Sequence, residues 1–301
     1  MRLACLNRLL SKEGENLRKL TLADIDVIQP LLQQLQDKLW VYYTPVILSN
    51  ESVYIDQVEG ATLLLFKENG NWDLIVQPLG DCSNGTLEEV FAYLEELNGN
   101  GNGSIYNCTA SFASHIKKNR FISKVECSDY IYNKEEQLAM CGGRFSEIRN
   151  HINYFKKHYN YSVSAYTADD YEECDRLFNG WKAKKEANIP VKDEHVAQLF
   201  QNLYLFPDMF GIVMRVDEKV VGFSLGGLLS PEEAICIIRK TDYTYKGLSE
   251  FVDHEFYRCV PESVRLVNDG DDLDSPSLKQ YKSKWNPVGF RQYYTVENKL
   301  N

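Results

Sequence analysis

The sequence predicts an α+β protein of two domains, each a mixed and mostly antiparallel sheet flanked by helices, and three observations lead there. Its 301 residues, 44% hydrophobic and 25% charged, suffice for two cores of about 150 residues each. Short β-branched and aromatic segments alternate with segments of helical period along the chain. The clearest strand pair, MFGIVMRVDEKVVGFSLGGLL (209–229), folds back around Asp217-Glu218, so neighbouring strands run antiparallel.

The elements follow in order. TLADIDVIQPLLQQL (21–35) has a Thr21 N-cap, Asp24 in its first turn and helical apolar spacing, with Pro30 as a kink. SVYIDQVEG, ATLLLFKENG and NWDLIVQPLG read as short strands, the last two joined by the hairpin signal Glu-Asn-Gly-Asn. TLEEVFAYLEEL (86–97) is a capped amphipathic helix, NGNGNG a flexible loop, SIYNCTA a strand and ASHIKKN a short helix. The second half opens on the strand YSVSAYT (161–167), then the helices ADDYEECDRLFNGWKAKKEA and VKDEHVAQLFQNLYLF. After the 209–229 hairpin come the strand EAICIIRK and a helix with Leu248, Phe251, Val252, Phe256 and Cys259 on one stripe. SVRLVN, a further helix and a terminal pair of short strands close the chain.

Composition narrows the partners. A formal net charge of −10 excludes wholesale non-specific binding to nucleic acid, so any anionic partner must meet local charge. Such charge stands in GGRFSEIRNHINYFKKHY (142–159), where Arg144, Arg149, Lys156, Lys157 and two histidines face the single acid Glu147. On a helix from Ser146, the residues Ile148, Ile152, Phe155 and Tyr159 form a packed stripe, with Arg149, Asn153 and Lys156 beside it. Those cations read either as a solvated face or, with Arg149 and His151, as a hold on an anionic donor. No segment approaches the roughly 18 apolar residues of a membrane span, and Asn7 and Arg8 interrupt the N-terminal apolar run. The expectation is a cytoplasmic protein without integral membrane association. The eight cysteines, never closer than 14 residues, give no zinc or disulfide framework, and NDGDDLD (268–274) lacks the EF-hand order. No metal is expected; the acidic stretch reads as a turn that caps a helix beginning near Pro276.

Three places resemble a bacterial tandem-fold family related to the C-terminal domain of phosphatidylglycerol lysyltransferase (DUF2156-like). RNHINYFKKHY (149–159) is similar to its Lys-Arg-Asn-His-Ile-Asn-x-Phe-Lys-Lys signature. EAICIIRKTDYTYKGLSEF carries a comparable Tyr-Lys-Gly at the start of a helix. NDGDDLDSPSLKQYKSKWNPV (268–288) matches through Asn268, Asp272-Leu273, Leu278-Lys279, Lys282 and Trp285-x-Pro287. The chain departs from the pattern at Ile148, Gly270 and Asp274, where the family has Lys, Glu and Gly.

The resemblance implies two tandem domains of the GNAT (acyl-CoA N-acyltransferase) fold, 1–145 and 146–301, with the binding groove mainly in the second. It further implies transfer of an acyl or aminoacyl group from acyl-CoA or aminoacyl-tRNA to an amine or hydroxyl acceptor, and since a tRNA donor needs more basic surface than this chain carries, acyl-CoA is the expected donor. The rival expectation is a non-catalytic relative that recognises a metabolite or protein. Acyl transfer needs a proton acceptor and an oxyanion donor, roles for which Asp272, Glu255 and Tyr243 are candidates. Arg239, Lys240, Lys246 and Gly247 are candidates for the donor's phosphates at a helix N-terminus. Arg149, His151, Asn268 and Lys282 are candidates for substrate contact. Donor, acceptor and oligomeric state are not fixed by these residues.

Overall fold

Alternating apolar residues become strands and helical stripes become helices largely where the sequence places them. The computed structural model describes residues 17–50, 52–80, 82, 84–186, 200, 206 and 208–299. Over these the chain runs β1 (Arg18–Lys19), α1 (Ile25–Gln34), α2 (Thr44–Leu48), β2 (Val53–Val58), β3 (Ala61–Glu68), β4 (Asn71–Leu74), α3 (Asn84–Leu97), β5 (Ser104–Cys108), α4 (Ala110–His115), β6 (Phe121–Asn133) and α5 (Lys134–Ala139). It continues through α6 (Ser146–His158), β7 (Tyr161–Ala165), α7 (Tyr171–Glu186), β8 (Phe210–Val216), β9 (Lys219–Ser230), β10 (Glu233–Thr241), α8 (Leu248–Cys259), β11 (Leu266–Asn268), α9 (Pro276–Lys284) and β12 (Gly289–Asn298). The helix expected over VKDEHVAQLFQNLYLF lies outside the described residues, apart from Phe200 and Phe206.

Local chemistry accounts for the punctuation. Thr21 forms a capping box with Asp24, and Thr167 does the same with Asp170. Asn69 and Gly70, and again Asp217 and Glu218, take positive φ, as two-residue hairpins require for strands of right-handed twist. The NGNGNG tract is tied down at its start, where the Asn98 side chain accepts from the Trp72 N–H (2.6 Å) and donates to the Trp72 carbonyl (2.9 Å). Two expectations need correction. The terminal pair of short strands is the single strand β12, and the short fourth helix starts at Ala110, where Thr109 caps it.

The described residues fall into two compact units, one drawn from 1–37, 50–126 and 293–301, the other from 38–49 and 127–292. In the first unit the strands lie in the order β1, β2, β3, β4, β5, β12, antiparallel except for β4 beside β5. In the second the order is β7, β8, β9, β10, β11, β6, antiparallel except for β10 beside β11. The units repeat one plan: an antiparallel run, then a helix (α3 or α8) leading to a parallel strand, then one more antiparallel strand.

Period two sends alternate residues of β8 to opposite faces. Ile212, Met214 and Val216 pack with α6 and α8, whereas Val213 packs with Cys174 and Phe178 of α7 and with Tyr43 and Val46. The first unit has its own core of Leu63, Leu65, Val90, Phe91, Leu94, Ile105 and neighbours. No helix among the described residues is long and apolar enough to cross a membrane.

Candidate functional site

The two parallel strands of the second unit share only three residue pairs, Glu233↔Leu266, Ala234↔Val267 and Ile235↔Asn268. Past that point β10 runs on toward Thr241, while the other chain turns into the loop Asp269–Ser275. Polar residues gather where the strands part.

The loop is unusual in its backbone and in how firmly it is held. Gly270, Leu273 and Asp274 have φ of 67°, 51° and 54°. For the two non-glycine residues this left-handed conformation costs about 1–2 kcal/mol each. The surroundings over-determine it: the Asn268 side chain accepts from the Gly270 N–H (2.9 Å), and the buried Lys282 ammonium donates to the carbonyls of Asp269 and Gly270 (3.1 Å for the latter). Tyr130 and the loop exchange backbone bonds at both Asp269 and Gly270, each 3.0 Å. Strain held in place at a loop tip is where functional groups concentrate. Asp272, half-buried in this loop, accepts a hydrogen bond from the Tyr130 hydroxyl at 2.7 Å.

Beneath the loop lies a buried ionic quartet. Arg239 pairs through Nε with Asp253 and through Nη2 with Asp269 (2.7 Å), Lys282 stands 3.5 Å from Asp269 Oδ2, and the Tyr281 hydroxyl donates to Asp253 at 2.7 Å. Such a cluster survives burial because each charge has partners. Burial pushes the Asp253 carboxyl up to about 7 despite Arg239. Burial acts the same way on Asp269, but Arg239 and Lys282 outweigh it and hold that carboxyl below its ordinary value.

A second network joins α6 to α8. Glu250 accepts from Lys284 (2.7 Å) and lies 2.8 Å from His151 Nδ1. Burial raises the Glu250 carboxyl, and the bonds from Lys284 and His151 more than reverse that. Gly247 belongs here: at φ +83° it starts α8 against α6, and a Cβ on it would stand 2.2 Å from the His151 carbonyl oxygen.

The candidates from sequence therefore separate. Arg239, Asn268, Lys282 and Asp272 converge on the parting strands, and His151 and Gly247 meet at the α6 and α8 contact. Arg149 donates to the carbonyls of Met140 and Gly142 (2.8 Å for the latter), closing the end of α5. Lys240 stands 3.6 Å from the Trp181 ring centroid, and Tyr243, 69% exposed, accepts from the Trp181 N–H at 2.7 Å. Lys246 is exposed, with its ammonium 4.7 Å from the Tyr154 ring centroid. Glu255 is buried on α8 between His254 and Arg258, each 3.4 Å away.

Sequence reasoning passed over Asp253, Asp269, Glu250, Tyr130 and Lys284. One signal was present: α8 carries Glu250, Asp253, His254 and Glu255 among its apolar residues, and all are buried. Acids buried on a helix must be neutralised or hydrogen-bonded by their neighbours.

Residues 44–297 match the family described as phosphatidylglycerol lysyltransferase, C-terminal. No curated protein sequence matches significantly. Among solved structures, a conserved protein of unknown function from Bacteroides thetaiotaomicron superposes with TM-score 0.83 at 20% identity, over 94% of this chain and 99% of that one. The C-terminal DUF2156 domain of a putative lysylphosphatidylglycerol synthetase from Agrobacterium fabrum gives 0.66 at 12% identity, over 91% of each chain. A tandem GNAT protein from the clavulanic acid biosynthesis pathway gives 0.50 at 11%, over 95% of this chain and 99% of that one. At these identities the likeness establishes the fold: α+β, two GNAT-like units in tandem.

Proposed function

The chain belongs to the phosphatidylglycerol lysyltransferase C-terminal family, and on that premise we propose that it transfers an aminoacyl group from an aminoacyl-tRNA ester to a hydroxyl or amine acceptor. The observation that carries the reading is the Asp269–Ser275 loop, over-determined in a strained conformation and presenting Asp272 bonded to Tyr130. Asp272 takes the proton from the attacking hydroxyl or amine as its oxygen or nitrogen bonds to the ester carbonyl carbon; the acyl C–O bond to the terminal ribose of the tRNA then breaks, and the ribose oxygen leaves as a hydroxyl carrying the proton that Asp272 returns. The Tyr130 hydroxyl fixes the carboxylate's orientation. Arg239, Asn268 and Lys282 are positioning residues, since their polar atoms are spent on the loop, on the ionic quartet beneath it and, for the Asn268 amide nitrogen, on Asp129 and the Lys38 carbonyl. Lys246, exposed in the turn before α8, meets donor phosphate, the local charge that a chain of net charge −10 needs for an anionic donor. The protein is expected to work in the cytoplasm, where charged tRNA is found.

The experiment incubates the protein with radiolabelled lysyl-tRNA and vesicles containing phosphatidylglycerol, then with other aminoacyl-tRNAs and amine acceptors, counting label moved to the acceptor. Transfer that drops at least about 100-fold in Asp272→Ala, the loss typical of a removed general base, supports the assignment. Transfer that survives in a folded Asp272→Ala variant sinks the role of Asp272. Absence of transfer from every charged tRNA sinks the reaction class.

A further inference from the structure

Where two parallel strands part, each leaves unpaired peptide groups facing the gap, and burying them without partners is costly. An extended ligand bearing amides is suited to such a gap, since it can pair with the strand edge as another strand would. The pantetheine arm of coenzyme A is of that kind, with two amides in an extended chain. In this protein the gap beyond Ile235↔Asn268 holds a side chain instead. Trp40, at the head of the short 3₁₀ turn Trp40–Tyr42, donates its indole N–H to the Cys236 carbonyl at 2.8 Å, the first residue of β10 past the parallel pairs. On the other side the indole reaches the loop: a Cβ on Gly270 would stand 3.5 Å from its Cδ1.

The turn is fastened on every side. The Trp40 N–H donates to Asp129 Oδ2 (2.8 Å), which also accepts from Asn268 (2.7 Å). The Lys38 carbonyl accepts from Asn268 (3.2 Å) and from Arg291 (2.6 Å), and Arg291 is in turn paired with Glu233. Tyr43 fills the place of a side chain at Gly227 of β9, where a Cβ would be 2.1 Å from its hydroxyl oxygen. Asn268, a candidate substrate contact in the sequence, is fully buried: its amide nitrogen holds this turn and its amide oxygen the Gly270 N–H.

We propose that Trp40 is a specificity-determining residue: its indole occupies the gap between β10 and the chain leaving β11 and excludes a pantetheine arm, so that acyl-CoA thioesters are not donors. The inference deepens the transferase reading and rests on it only for its consequence, which donor is used. The exclusion itself is a statement about binding and stands apart from turnover.

The test is calorimetric titration of the full chain with coenzyme A and acetyl-CoA, for wild type, Trp40→Phe, Trp40→Leu and Trp40→Ala, with circular dichroism to establish folding. Phe retains the bulk of the plug, whereas Leu and Ala progressively open it. Wild type and Trp40→Phe are expected to show no binding up to about 1 mM ligand, and the opened variants to bind at least about tenfold more tightly than that limit. Binding by wild type at micromolar concentration overturns the proposal. So does failure of folded Trp40→Leu to gain affinity, a variant that keeps an apolar side chain should Trp40→Ala not fold. Aminoacyl transfer by the same preparations is measured in parallel. Its absence, alongside the expected titrations, counts against the transferase reading and leaves the exclusion intact.

Discussion

Replacing Gly247 with alanine separates two roles that the sequence could not distinguish, a backbone approach to a donor phosphate and a packing requirement. At φ +83° an alanine pays about 1–2 kcal/mol for the left-handed conformation. Its Cβ would stand 2.2 Å from the carbonyl oxygen of His151 and 2.8 Å from the carbonyl carbon. These are backbone atoms inside α6, so relief requires α6 and α8 to move apart, disturbing the Phe155 and Phe251 rings, whose centroids are 5.3 Å apart. Overpacking of this sort costs about 1–3 kcal/mol. The sum is about 2–5 kcal/mol, or a fall in Tm of at least about 4 °C for units of this size. Thermal unfolding followed by circular dichroism reads it. Gly180→Ala, mid-helix on α7 with nothing within 4 Å of its added Cβ, is the control and should hold or raise Tm. A Gly247→Ala protein that melts within a degree of wild type yet loses donor binding would refute the packing argument and return Gly247 to the phosphate site.

Two further outcomes follow from the same geometry. Arg149→Ala removes the bonds to the Met140 and Gly142 carbonyls and should lower stability in urea by about 1–3 kcal/mol, with KM for the charged tRNA unchanged; a raised KM at unchanged stability would restore Arg149 as a donor contact. Burial gives Asp253 a folded pKa of about 7 against about 4 in the unfolded chain, so between these values the native state holds a proton that the unfolded state has released. The free energy of unfolding should therefore fall as pH rises through that window, and Asp253→Asn should flatten the curve there. Asp269 and Glu250, whose carboxyls are held low, act in another window: their contribution is lost only as pH falls through and below the ordinary carboxylate range. A wild-type curve that rises from pH 4 to 7 would refute the Asp253 assignment.

By itself the sequence determined the elements whose signals are local. Thr21 announces its helix because its capping box with Asp24 involves residues three apart, and Asp217-Glu218 announces its hairpin because the turn is two residues long. The three resemblances along 149–288 pointed to the fold, and Asn268, Asp272 and Lys282 to the loop where β10 and β11 part. β6 went unread because FISKVECSDYIYN mixes charged and apolar residues without clean alternation: its first half lies in the first unit, its second in the other. Only the tertiary structure decided which charges are paired with other groups of the protein. Arg239, Lys282 and Asn268 look like free ligand contacts when read singly; Asp253 and Asp269, which pair with Arg239, lie 14 and 30 residues away from it, and their pairing exists only once α8 and β11 are laid beside β10. Trp40 is the extreme case. Its partner Cys236 is 196 residues distant, and no local pattern marks a tryptophan as the stopper of a gap that the remainder of the chain must first create.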